Sequence, residues 1–238
     1  MHPVRIASLL AGIALIPAGG LVEAATASAA VKEVQMSEPG VRSYWAWVEQ
    51  RTYAFSRPSK RSQKIARVAL RTPEKTDNLV YIEARTARGA LWYKVRLPAS
   101  RRLGWIPRSR LGAPQAVSTH IVIDRKARQL RLDKAGKTIF TFPVGIGTFA
   151  NPTPAGDFYV RTKLLGFKSP AYGPRAMGLS ATSRTLTDWP GGGYVGIHGT
   201  NQPGLIPGRI SHGCVRLKNK DILRLYRKAG VGTPVTIQ

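Results

Sequence analysis

Residues 197–217 read IHGTNQPGLIPGRISHGCVRL and hold the only cysteine among 238 residues. The chain entering this stretch, YVGIHG, is apolar and β-like up to His198, and HGCVRL reads as a further short strand. Glycines and prolines in between mark a turn-rich connection. The pattern predicts a sheet in which His198 ends one strand and approaches Cys214 on another.

Three uses of Cys214 compete on chemical grounds. A buried core thiol is the ordinary fate of free cysteine, but the SHG before it and the Arg after it make a polar setting. A metal site built from Cys214, His212, His198 and His120 has one sulfur and matches no common zinc spacing. A nucleophile needs a base, because a free thiol is only a few per cent thiolate at neutral pH. An imidazole takes its proton, and a cation such as Arg216 favours the thiolate. Gly213 removes a side chain beside the thiol, so that the amides of Gly213 and Cys214 are candidate donors to a developing oxyanion. His212 lies two residues from Cys214, so in extended chain the two side chains stand parallel and do not converge. His198, coming from a separate strand, is the expected base, and His212 an orienting group.

Outward from this stretch, the C-terminal half, residues 117–238, reads as β-rich. Ile121, Ile123, Leu130, Leu132, Ile139 and Phe142 follow alternating strand patterns, with a turn at Asp133–Gly136. NPTPAGDFYVRTKLL continues as a Pro-rich loop and a strand, and TPVTIQ closes as a strand. One helix is expected near the end, capped by Asn219, with Ile222, Leu223 and Tyr226 on one face and Gly230 as its stop. Residues 167–193, polar and glycine-rich, read as loops bordering a cleft. Tyr172, Arg175, Met177 and Trp189 within them are candidate substrate contacts or loop-packing side chains.

Residues 43–112 show five short β-like segments, YWAWV, KIARVAL, VYIEARTA, LWYKVRL and RLGWIP, which suggest a small barrel. The Arg57-Pro58 turn, the LWYKV strand and the GWIP ending at Gly104–Pro107 resemble a bacterial SH3-like domain. Its tryptophans, Trp45, Trp47, Trp92 and Trp105, read as core aromatics. The region has no His and no Cys. Residues 30–42 read as a linker, and GAPQAVS, Gly112–Ser118, as the boundary between domains.

Residues 1–29 read as a cleavable signal peptide: Arg5, an apolar run of 11 residues from Ile6 to Ile16, then Ala-x-Ala sites at Ala25–Ala27 and Ala27–Ala29. The run is shorter than a bilayer-spanning helix, against the alternative of a retained anchor. An exported chain with one cysteine makes no internal disulfide, so the thiol must be buried or used. The formal net charge is +25, with +12 in residues 43–112 and +13 in residues 117–238. Such a surface attracts polyanions. Outside the cell these are anionic wall polymers rather than nucleic acid, and no stable membrane insertion is expected once the signal is removed.

The His198 to Cys214 stretch, with twelve residues between His198 and Ser211, resembles the signature of the YkuD-like L,D-transpeptidase catalytic domain: a histidine, a spacer, then Ser/Thr-His-Gly-Cys. PVGIG and NPTPAGDFYV extend the likeness from about His120 to the C-terminus. The resemblance implies a mainly β protein, a small SH3-like barrel followed by a β-sandwich-like catalytic domain with the thiol in a cleft. It implies Cys214 as nucleophile, His198 as base oriented by the carbonyl of Gly199, and Ser211, His212, Gly213 and Arg216 as motif positions. It also implies attack on a peptidoglycan stem tetrapeptide, release of D-Ala, resolution of the thioester by an amine, no metal and no organic cofactor. Water as acceptor would make an L,D-carboxypeptidase, and an inactive cleft a cationic wall-binding protein; the second has no use for a thiol.

Overall fold

The computed structural model describes Met1, residues 32–100, 102–165, 169–183, Trp189 and residues 192–238. Met1 aside, the expected signal peptide lies outside the described residues. The chain is mainly β, with one α-helix among the described residues. Val31–Gln238 is a single unit carrying two sheets.

The first sheet holds β1 (Glu33–Gln35), β2 (Ser43–Trp47), β3 (Thr52–Phe55), β4 (Lys64–Val68), β5 (Leu79–Thr86), β6 (Trp92–Arg96), β7 (Leu103–Pro107) and β8 (Gln115–Val117). Their order is β4-β3-β7-β6-β5-β2-β8, with β1 also on β5. Ala46, Val80, Ile82, Val95 and Ile106 close its core. Trp45, Trp92 and Trp105 are buried and Trp47 partly so.

Within the expected linker, residues 32–42 are not plain loop. β5 is eight residues long, and β2 covers only Leu79–Ile82. The remaining edge, Ala84–Thr86, is taken by β1. The Ser37 hydroxyl donates to Ile82 O at 2.5 Å and accepts from Tyr44 N at 2.7 Å, fixing the return into β2. The boundary segment is also tied down, because β8 pairs with β2.

The second sheet holds β9 (Thr119–Asp124), β10 (Gln129–Lys134), β11 (Lys137–Pro143), β12 (Gly145–Gly147), β13 (Gly156–Leu165), β14 (Arg175–Thr182), β15 (Tyr194–His198), β16 (Gly208–Ser211), β17 (Val215–Arg216) and β18 (Pro234–Ile237), with helix α1 (Asn219–Lys228) before β18. The order is β11-β10-β9-β18-β13-β14-β15-β17-β12-β16. One core cluster draws Ile121 and Leu132 from one end, Val215 and Ile146 from the other, and Ile222 and Leu225 from α1. Strands from both ends of the sheet thus converge on one interior. The β10–β11 hairpin turns on Ala135 and Gly136, both at positive φ (49° and 75°), as a two-residue turn matched to strand twist requires. Ile139, on β11, is exposed.

Two expectations for this half are corrected. Residues 175–182 form strand β14, not a loop. Both of its neighbours are strands, and small residues such as Gly178, Ser180 and Ala181 sit where adjoining groups crowd it, which removes the hydrophobic alternation. In α1 the capping position falls to Lys218, with no side-chain cap. Asn219 Oδ1 instead accepts from Thr200 N at 2.9 Å, and Leu225 rather than Leu223 is fully buried.

The two sheets share a small aromatic core. Trp45, Leu79 and Tyr81 of the first pack with Tyr159 of the second, the two tyrosine rings stacked at 5.9 Å and 18°. Gly232 lies against Trp45: a Cβ there would stand 2.0 Å from Trp45 Cδ1. Burying such rings stabilises the contact by about 1.5–3 kcal/mol per side chain.

Candidate active site

β15 and β17 run parallel, with Ile197 opposite Val215 and His198 opposite Arg216. Leu217 N donates to His198 O at 2.8 Å, and Cys214 lies one residue before β17. The amide of Gly196 donates to Cys214 Sγ at 3.4 Å. An N–H directed at sulfur favours the thiolate over the thiol. Cys214 is 4% exposed and clusters with Ala176 and Trp189.

His198 is 2% exposed, and its Nδ1 lies 2.6 Å from the carbonyl oxygen of Gly199. A carbonyl only accepts, so Nδ1 carries the proton and the neutral ring keeps its lone pair on Nε2. Tyr172 and Trp189 wall the imidazole, with ring centroids 4.7 Å and 6.4 Å away. A narrow cleft of about 40 Å³ is lined by His198, His212, Cys214, Arg216, Ser211, Tyr172 and Ala171. Six of these seven are residues singled out from the sequence.

The turn before Cys214 is pinned from both sides. Ser211 Oγ donates to Cys214 O at 2.5 Å and accepts from Gly213 N at 3.1 Å. Gly213 O accepts from Thr153 Oγ1 at 2.9 Å, and that oxygen accepts from Gly147 N at 2.9 Å. Gly213 has φ +123°, a conformation side chains disfavour. Its amide donates to Ser211 Oγ. Ser211, expected at a substrate, acts here as a bracket for the loop.

Other expectations divide. Arg216 lines the cleft, with Nε buried and without a hydrogen-bond partner among the described residues. His212 borders the cleft with an exposed side chain. Met177 is 0% exposed in the main core and paired in register with Ile197, so it cannot touch a substrate. The inward face of β14 claims it, while Ala176 takes the cleft side. Arg175 is not among the lining residues: it donates to Pro174 O at 2.7 Å and lies over the Tyr226 ring at 5.7 Å. Trp189 is buried, with Nε1 donating to Glu74 Oε1 at 2.7 Å. His120, on β9, bonds Thr236 Oγ1 at 3.0 Å and is not part of the cleft lining.

Sequence reasoning missed Gly196. A Cβ on it would stand 2.1 Å from Trp189 Cζ3, so the indole needs a bare backbone there. An isolated glycine inside an apolar strand was the available signal.

The L,D-transpeptidase catalytic domain family model matches residues 118–237. The putative L,D-transpeptidase YkuD of Bacillus subtilis is 32% identical over 124 residues, which are 52% of this chain and 68% of the relative. The probable L,D-transpeptidase YbiS of Escherichia coli is 36% identical over 141 residues, 51% of this chain and 45% of that protein. Among solved structures, the catalytic domain of an Enterococcus faecium L,D-transpeptidase aligns at 28% identity over 50% of this chain and 96% of its own, with a TM-score of 0.37. The chain thus belongs to the L,D-transpeptidase family, with its YkuD-type catalytic domain in residues 118–237.

Proposed function

We propose that the protein is an exported, cysteine-dependent peptidoglycan L,D-transpeptidase. The observation that carries this reading is the bond between His198 Nδ1 and Gly199 O, which leaves Nε2 as the acceptor in the cleft that also holds Cys214. His198 Nε2 takes the thiol proton, and Sγ attacks the carbonyl carbon of stem residue three. The tetrahedral intermediate collapses, the C–N bond to the terminal D-Ala breaks, and the imidazolium returns the proton to the departing amine. An amine of a neighbouring stem then adds to the thioester carbon and gives its proton to His198. The thiol leaves and a 3→3 cross-link remains. Arg216, whose Nε has no hydrogen-bond partner among the described residues, holds a substrate carboxylate from the cleft wall; Tyr172 supports the stem peptide, and His212 orients it from the exposed rim.

Export by residues 1–29 and attraction to anionic wall polymers belong to the same reading. The charge of +25 supports it, as does a surface hollow of about 410 Å³ lined by Arg125, Lys126, Arg209 and Phe149. Phe149 is 84% exposed there and the Arg209 guanidinium lies 4.2 Å over its ring. The first domain is an SH3-like module on this reading.

Incubation with a stem tetrapeptide, followed by muropeptide mass analysis, tests the reading. Dimers lacking one D-Ala should appear with the intact protein and vanish in Cys214→Ala. Tripeptide without dimer would move the assignment to water as acceptor, and unchanged tetrapeptide would remove the activity. A carbapenem adduct on the intact protein, absent from Cys214→Ala, checks the nucleophile separately.

A further inference from the structure

We propose that Glu74, contributed by the first domain, is a positioning residue for His198, acting through Trp189; this rests on the reading of His198 as the base of Cys214. Glu74 lies in the connection between β4 and β5. That loop is closed at its neck: Thr72 N donates to Thr76 O at 2.8 Å, and Lys75 N to Thr72 O at 2.9 Å. Thr76 Oγ1 donates to Thr162 Oγ1 on β13 at 2.9 Å, fastening the loop to the catalytic domain. The carboxylate is thereby inserted behind the cleft, where its side chain is 1% exposed.

One oxygen does two things there. Glu74 Oε1 accepts from Arg161 Nη2 at 2.5 Å and from Trp189 Nε1 at 2.7 Å. Trp189 lies on Gly196, packs edge-on to Tyr172 at 5.9 Å, and stands 6.4 Å from the imidazole. The Arg161 guanidinium lies 3.9 Å over the ring of Tyr194, the first residue of β15. Both arms therefore end on the strand that carries His198.

Stability alone gives a poor account of this pair. Arg161 is 1% exposed, and its Nε and Glu74 Oε2 are both buried without a hydrogen-bond partner among the described residues. A buried pair with unsatisfied atoms does not recover its desolvation cost through Coulomb attraction, and apolar replacements often do better. Among the described residues, the ion pair of Arg161 is with Glu74, carried by the loop between β4 and β5. The countercharge for Arg161 thus comes from the other domain. What the arrangement does provide is a fixed indole beside the base.

The test uses the full chain and the pH dependence of Cys214 alkylation by iodoacetamide, with thermal unfolding recorded alongside. Trp189→Phe removes the N–H and keeps a ring, Glu74→Ala removes the acceptor, and Glu74→Gln keeps a carbonyl oxygen for both donors. Trp189→Phe and Glu74→Ala should lower alkylation at neutral pH about tenfold, the scale of a sub-ångström misplacement, and move the profile toward that of an ordinary thiol. Glu74→Gln should recover most of the wild-type profile. A folded Trp189→Phe or Glu74→Ala protein with the wild-type profile overturns the proposal, as does a Glu74→Gln protein no better than Glu74→Ala. If Glu74→Ala does not fold, the other two variants decide. Muropeptide formation is scored separately, so failure of the transpeptidase reading and failure of this one are distinguishable.

Discussion

Gly196→Ala puts one methyl group where the structure has no room for it. The added Cβ would stand 2.1, 2.2 and 3.0 Å from three carbons of the Trp189 ring, against ordinary contacts that begin at 3.4 Å. The nearest atom must therefore withdraw by about 1.3 Å, the difference between 3.4 and 2.1 Å. The indole has little freedom to do so, since its Nε1 is held by Glu74 and its Cζ2 is 3.4 Å from where a Cβ on Gly178 would lie. Strain of this kind costs about 1–3 kcal/mol of stability. A displacement of an ångström beside the imidazole lowers the acylation rate on the order of 100-fold. Urea unfolding reads the first effect, and the growth of a carbapenem adduct by intact mass reads the second. Adding Trp189→Leu clears the space but removes the N–H that holds Glu74, and should not return the rate. A Gly196→Ala protein that is acylated at the wild-type rate would refute the reasoning.

Three further outcomes are expected. Ser211→Ala leaves Gly213 N and Cys214 O without their buried partner and should destabilise the chain by about 1–3 kcal/mol, read as a lowered urea midpoint. Gly232→Ala combines φ +77° with a Cβ 2.0 Å from Trp45, and should lower the midpoint by a similar amount, about 1–3 kcal/mol, while making the 112–118 segment more sensitive to protease. Burial holds His120 below its ordinary value of 6.5, outweighing the pull of Asp133 and Asp157. The unfolded chain then binds the proton more readily, so stability falls as pH drops below 6.5 and levels off below the folded value. The urea midpoint of wild type should decline more between pH 7.5 and pH 5.5 than that of His120→Gln; equal declines would contradict it.

The hairpin of β10 and β11 is legible because Leu130, Leu132 and Phe142 alternate around a Lys-Ala-Gly turn that allows positive φ. The approach of His198 to Cys214 is legible because His198 ends the apolar strand β15 and Cys214 comes just before β17, each beside a glycine. β14 is not, because a strand crowded on both sides by Trp189, Thr162 and its neighbours selects small residues, and RAMGLSAT then reads as loop. Read as loop, the same stretch puts Met177 toward the substrate, whereas strand β14 turns it into the core. In α1, Leu223 and Leu225 are equally apolar, and only the packing of β14 against the helix decides which is buried. Glu74 left no local trace: its partners lie 87 and 115 residues away, and nothing in TPEKTD marks its burial.

The cross-domain carboxylate also bears on how such a chain can change over generations. Recombination that replaced the segment carrying the first sheet with one lacking an acid at that loop tip would strand the Arg161 guanidinium in a dry interior. Substitution of Arg161 alone would do the same to Glu74. A successful exchange must therefore carry the loop, or neutralise Arg161 in the same step.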